Sequence, residues 1–306
     1  MRILFLSSWF PYPPNNGSKI RIYNLLRALS RRHEVTLLTF IDAADAPETS
    51  GLEGICHVAG IVPKPVYRPQ GPKAIAAFLS PMPRHVVDTY SPAMAAAVQQ
   101  ELDSSRYDVV VAAESGTARY VATTTSAPKV FDDVEVAIIR EQYAQARGSL
   151  ARFRYWLTWQ KTQRYTGWMV RQFDACTVVS PQEQANVREI APGYKAAHMI
   201  PNGVDTELMQ PGLAVPQSHA LVYNGALTYS ANFDAMRYFL SDIWPQIKAE
   251  VPDVSLAITG RTDGVDLRGL PIGDGVTLTG YLPDIRPAVA GSAAVSWCGE
   301  FRWRLL

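Results

Sequence analysis

Cysteine is scarce in this 306-residue sequence: Cys56, Cys176 and Cys298 are odd in number and show no Cys-x-x-Cys spacing. A disulfide framework and a zinc knuckle are thereby disfavoured, and a reducing compartment is the default. The five histidines are scattered without metal-ligand spacing, so no metal site is expected. Charge of one sign is also lacking, because 29 Lys and Arg face 28 Asp and Glu. A net charge of +1 steers no whole-chain field toward nucleic acid. No apolar run approaches the length of a bilayer span, and Pro11 interrupts the apolar start too soon for a signal peptide. The expected location is the cytoplasm, with contact at the inner face of a membrane as the open alternative. Nucleotide-binding signatures are missing as well. There is no Gly-x-Gly-x-x-Gly after an opening strand, no Gly-x-x-x-x-Gly-Lys-Ser/Thr and no Gly-x-Ser-x-Gly. Dinucleotide oxidoreductases, P-loop nucleotidases and α/β-hydrolases are disfavoured accordingly.

What is present is alternation. The 47% hydrophobic content supports a full core, and the length suits about two domains. Strands are predicted at residues 1–8, 34–40, 55–62, 108–113, 129–132, 174–180 and 197–200. Between them lie helices, including one long helical region from about Glu135 to Phe173. A second series has strands at 219–225, 254–260, 276–279 and from 293. Its amphipathic helix at 232–250 places Phe233, Met236, Leu240, Ile243 and Ile247 on one stripe. Strands alternating with helices imply parallel sheets covered on both faces. Pro201, Pro211 and Pro216 cluster between the series, giving expected domains of 1–205 and 206–306.

Three loops point to anion chemistry. The first strand runs into a Pro- and Asn-rich loop, where Gly17 allows close backbone approach and Ser18 is read as the cap of the next helix. A helix N-terminus at the carboxyl end of a strand offers free N–H groups to phosphate. At the seam, Asn202-Gly203 is read as a tight turn accepting positive φ, with Asp205 capping or anchoring the next segment. The second series repeats the opening logic, with Asn232 as the expected N-cap.

Acidic and basic groups leave alternatives open. Glu114 falls just past a buried strand, as a cleft residue or a solvated loop carboxylate. Asp132-Asp133-Val134-Glu135 reads as acceptor contacts or helix caps at a strand end, with a metal site like an Asp-x-Asp pair as the lesser alternative. The stretch from Arg140 to Asp174 holds seven basic residues, Arg147 among them, against Glu141 and Asp174, with Tyr155, Trp156, Trp159, Tyr165 and Trp168 interleaved. It is either a long core helix with a solvated face or a surface for anionic lipid.

The pieces Pro-Asn-Asn-Gly-Ser-Lys-Ile-Arg (14–21), Val178-Val-Ser-Pro-Gln-Glu183, Ile200-Pro-Asn-Gly-Val-Asp205, Tyr223 to Asn232, Leu256 to Arg261 and Thr279 to Arg286, in this order, resemble the family 4 glycosyltransferases. The likeness is greatest to bacterial sugar transferases of exopolysaccharide clusters. That resemblance implies the α/β, GT-B fold: two doubly wound Rossmann-like domains facing a cleft, the second incomplete. It implies a retaining hexosyl transfer from a nucleotide sugar to a saccharide or lipid-linked acceptor, with no cofactor and no metal. Gly17, Ser18, Lys19, Asn232 and Arg261 become the expected donor contacts. Asn202, Gly203 and Asp205 lie at the hinge side, and Glu114, Asp133 and Glu135 on the acceptor side. Two departures stand out. The diphosphate-binding Arg and Lys of many members are replaced by Ala226 and Asn232. The Glu-x7-Glu element is also missing, because Glu300 has no glutamate partner before Leu306, which suggests truncation or a frame change near residue 295. Competing expectations are a non-catalytic remnant that keeps only acceptor binding, and a nucleotide-sugar epimerase on the same fold.

Overall fold

The computed structural model describes residues 1–296 except 44, 124–126 and 147. The segment on which the truncation expectation rests lies outside the described residues, as does Arg147. The chain divides into two compact units, Met1–Gly203 and Val204–Leu306.

The first unit begins with β1 (Arg2–Ser7), α1 (Gly17–Ser30), β2 (Glu34–Ile41) and β3 (His57–Pro63). Next come α2 (Pro72–Ala76), α3 (Arg84–Asp88), α4 (Pro92–Ser104), β4 (Val109–Ala113) and α5 (Ser115–Ala118). It closes with β5 (Lys129–Asp132), α6 (Ala137–Gln145), α7 (Ser149–Val170), β6 (Ala175–Val178), α8 (Pro181–Ile190) and β7 (Ala197–Met199). All seven strands are parallel, in the order β3-β2-β1-β4-β5-β6-β7. The order reverses direction between β1 and β4, so the crevice beyond their carboxyl ends is the switch point where doubly wound sheets bind ligands. Residues of β1 and β2 are buried in alternation on both faces. Leu4, Leu6, Leu38 and Phe40 join one cluster, whereas Phe5, Val35 and Leu37 join another with Ile22 and Leu26 of α1. This two-sided burial explains why β1 reads as a continuous apolar run and why β2 is apolar apart from Glu34, Thr36 and Thr39.

Local chemistry corrects several expectations. Asn16, not Ser18, caps α1: its side-chain oxygen accepts from Lys19 N at 2.9 Å, and Ser18 lies inside the helix. The single long helix is two, α6 and α7, parted at Gly148, whose φ of 83° no helix can continue. Further along α7, Gly167 sits so close to the Ile190 carbonyl that an added Cβ would lie 2.2 Å from its oxygen. Only glycine lets α7 pass the end of α8 here.

The second unit holds β8 (Gln217–Asn224), α9 (Ser230–Tyr238), α10 (Trp244–Glu250), β9 (Ser255–Thr259), β10 (Val276–Gly280), α11 (Arg286–Ala290) and β11 (Ser292–Ser296). Its sheet is also parallel, in the order β10-β9-β8-β11. Between α9 and α10 the chain widens into a π turn, Phe239–Ile243. Pro245 sits in the first turn of α10, and its missing N–H removes the ladder bond that a continuous regular helix would make there. Met236, Leu240 and Trp244 nonetheless stay buried against Leu256 and Ile258 of β9.

Candidate active site

In the first unit, the switch point gathers residues from α1, β4, β5 and β6. Glu114 leaves β4 with φ 65° and ψ 161°, a region open almost solely to glycine. Its carboxylate accepts from the Trp9 indole Nε1, 3.1 Å from each oxygen. Desolvation pushes the Glu114 carboxyl above its ordinary range, against the opposing pull of Ser18, Lys64 and Trp9. The Lys64 ammonium lies 3.1 Å from the centre of the Trp9 ring, a close cation–π contact. Desolvation lowers the Lys64 pKa.

One strand over, Asp132 ends β5 and Asp133 follows it. Asp132 is buried and takes a bidentate grip from Arg21 of α1: Nη2 to Oδ1 at 2.8 Å and Nε to Oδ2 at 3.1 Å. Thr177 of β6 adds a third donor to Asp132 at 2.6 Å. Arg21 also donates to the Ile200 carbonyl and to Asn202 Oδ1, both at 3.1 Å. One guanidinium thus joins α1, the end of β5 and the segment after β7. Asp133 has a positive φ of 60°, and desolvation pushes its carboxyl up to about 6, with Asp132, Glu114 and Glu183 adding to the rise and Arg21 opposing it. Two carboxyls at neighbouring strand ends are therefore both biased toward protonation, and both sit on strained backbone.

The sequence-predicted residues fare unevenly. Gly17 is open, with nothing within 4 Å of an added Cβ, and opens α1 beside Ser18. Lys19 turns away from the loop: its ammonium is 2.7 Å from Asp45 and its side chain is 4% exposed. That pairing explains why Lys19 offers no free charge to a diphosphate. Neither Asn202 nor Gly203 adopts a positive φ, so the expected tight turn is absent and Asn202 serves as an acceptor for Arg21 instead. Asp205, in the second unit, accepts from Glu207 N and Leu208 N at 3.0 and 3.1 Å and fixes the turn there. Glu135 is exposed.

In the second unit, the loop after β8 meets the loop after β9. Gly260, at φ 116°, sits so tightly that an added Cβ would come within 2.8 Å of Ala226 N and the Gly225 carbonyl. Asn232 does not cap α9, which starts two residues earlier at Ser230; its amide donates to the Ala226 carbonyl at 3.0 Å and braces the loop. Arg261, just beyond β9, is exposed and 3.3 Å from Asp263.

Sequence reading missed Trp9, Lys64, Arg21, Thr177 and Glu183 as site builders. Glu183 is buried, and its carboxylate accepts from Val136 N and Ala137 N at the start of α6, the shortest contact being 2.9 Å. Ser180-Pro-Gln-Glu183 does carry a capping pattern, with Ser180 Oγ accepting from Glu183 N at 3.2 Å. The long-range destination of the Glu183 side chain leaves no local signal. Among the described residues, no group of three His, Cys, Asp or Glu is placed to hold a metal ion. No helix of the described residues is long and apolar enough to cross a membrane.

Two parallel α/β sheets, one in each unit, have the class of fold that the GT-B glycosyltransferases share. The model of Glycosyltransferase Family 4 matches residues 15–208, and the chain belongs to that family. It is accordingly a glycosyltransferase. Among solved structures, apo OtsA aligns with a TM-score of 0.53 and 10% identity over 95% of this chain and 76% of that chain. That likeness is one of fold. CalG4, the calicheamicin glycosyltransferase, aligns with a TM-score of 0.48 and 13% identity over 96% of this chain and 74% of its own. UGT2 of Phytolacca americana, complexed with UDP-2fluoro-glucose and pterostilbene, gives 0.48 and 12% over 93% and 72%. No curated protein matches the sequence significantly.

Proposed function

We propose that this chain transfers a hexosyl group from a nucleotide sugar to a saccharide or lipid-linked acceptor, retaining anomeric configuration and using no metal, in the assembly of surface polysaccharide. The observation that carries the reading is Glu114. A desolvated carboxylate on glycine-only backbone at a topological switch point is strain kept for chemistry rather than for folding. In this reading Glu114 and Asp133 accept hydrogen bonds from acceptor hydroxyls and orient the attacking oxygen. Positioning of this kind supplies much of the barrier reduction where no protein nucleophile is used.

The donor side rests on the second unit. α9 is nine residues long, and among the described residues no side chain caps its first turn. Its leading N–H groups, the loop from Gly225 to Tyr229 and the exposed Arg261 suit a diphosphate and the charge that develops on it as the sugar departs. Asn232 and Gly260 shape that loop. In the first unit, Gly17 and Ser18 at the start of α1 offer backbone donors of their own. The test is nucleotide release across common nucleotide sugars, run with thermal unfolding in the presence of each donor. The matching donor raises the unfolding temperature, since it binds only the folded chain. No release and no thermal shift with any donor overturns the proposal.

A further inference from the structure

The outward face of α7 is the wrong chemistry for a helix exposed to water. Its inner side buries Trp159, Thr162, Thr166, Met169 and Val170. Opposite, at spacings of three and four, come Leu150, Phe153, Leu157, Lys161, Arg164 and Trp168. Leu150 is 82% exposed and Phe153 59%. Phe153 stacks with Trp156, itself exposed, at 5.8 Å. The 22 residues of α7 include Arg152, Arg154, Lys161 and Arg164 and no acidic residue.

A second segment continues this surface. Lys161 Nζ donates to the carbonyls of Phe78 at 2.8 Å and Ala77 at 3.2 Å, fastening the α2–α3 connection beside the stripe. There Leu79 is 96% exposed, with Ile75, Phe78 and Met82 also exposed. Residues 66–87 carry Arg68, Lys73 and Arg84 and again no acid. The next acid along the chain, Asp88, is turned to the Arg68 backbone N–H at 2.7 Å. Lys161 and Arg84 bond to backbone carbonyls, which satisfy their donors without neutralising them. Burial and the like charge of Arg84 both draw the Lys161 pKa down. A soluble face normally places polar groups outward with both signs mixed; large apolar side chains among cations, with no acid on the same two segments, mark an interaction surface.

We infer that the face formed by α7 and the α2–α3 connection docks on an anionic lipid bilayer, with Leu79, Leu150, Phe153 and Trp156 entering the headgroup boundary and the arginines meeting lipid phosphates. Charge complementarity selects this occupant: apolar side chains framed by Lys and Arg fit a negatively charged interface. The inference stands apart from the transfer reaction, because it needs neither donor nor acceptor.

The experiment is co-sedimentation of the full chain with phosphatidylglycerol-containing vesicles and with pure phosphatidylcholine vesicles. Binding is expected on the anionic vesicles at low salt and release at high salt. Replacing Arg152→Gln, Arg154→Gln and Arg164→Gln together is expected to weaken partitioning about a hundredfold, near fivefold for each cation. Leu79→Asp with Phe153→Asp is expected to abolish insertion, read as loss of Trp156 quenching by brominated lipid, while circular dichroism stays unchanged. Three results overturn the inference: equal binding to both vesicle types, no binding at low salt, or binding unaffected by these variants. A dimer in sedimentation velocity that the same variants dissociate also overturns it, since the face then pairs copies of the chain.

Discussion

At position 114 backbone and side chain ask for different residues. The φ and ψ of Glu114 suit glycine, while its carboxylate is held by Trp9. Glu114→Gly is expected to raise stability by about 1–2 kcal/mol in urea unfolding while abolishing transfer. Asp133 makes a pH prediction. Its folded carboxyl titrates at about 6, against 3.8 for an ordinary one, so the folded chain holds the extra proton between these values. Stability then falls as pH rises from about 4 to about 6 and is flat above. Asp133→Asn is expected to erase that slope and to gain about 2 kcal/mol at pH 7.5 relative to the parent, followed by urea midpoints across pH. Arg21 is the reverse case. Its Asp132 partner is 6% exposed, so Arg21→Met strands a buried charge and is expected to cost about 3 kcal/mol. Adding Asp132→Asn should recover part of that loss.

At the scale of elements, α6 depends on a carboxylate from elsewhere. Glu183→Ala leaves the leading N–H groups of α6 without their acceptor and is expected to lower the unfolding free energy by about 2 kcal/mol, with the Asn186 amide nitrogen losing its Glu183 acceptor as well. This contact shows what the sequence could and could not reveal. The strands were legible, because β1 and β4 read as apolar runs and β2 is interrupted only by Thr36 and Thr39 after its opening Glu34. The loops at strand ends were legible as interruptions, through Pro, Asn and Gly. Cap identities were not. Asn16 and Ser18 both suit an N-cap, and only the observed start of α1 at Gly17 decides between them. The break at Gly148 was hidden by helix-favouring residues on either side. Lys19 looked free because Asp45, 26 positions away, is invisible to local pattern. Glu114 and Asp133 were picked out by position alone; their strain belongs to the backbone and leaves no mark in composition.

Across the whole molecule, the net charge of +1 conceals segregation. Residues 1–203 hold 22 Lys and Arg against 17 Asp and Glu, whereas residues 204–306 hold 7 against 11. A near-neutral chain built this way presents both signs strongly. It is expected to be retained at low ionic strength by both a sulfonate and a quaternary-ammonium resin at pH 7.5. Both retentions should vanish by roughly 0.5 M salt, where screening is nearly complete over a few ångströms. Passage through either resin at low salt refutes this.

The contact between Trp9, Lys64 and Glu114 has an optical consequence. Indole emission responds to a nearby cation and to a hydrogen-bonded carboxylate, and Trp9 has both. The protein therefore carries its own reporter at the switch point. The fluorescence difference between the parent and a Trp9→Phe chain reads protonation or occupancy at Glu114 directly, without any label.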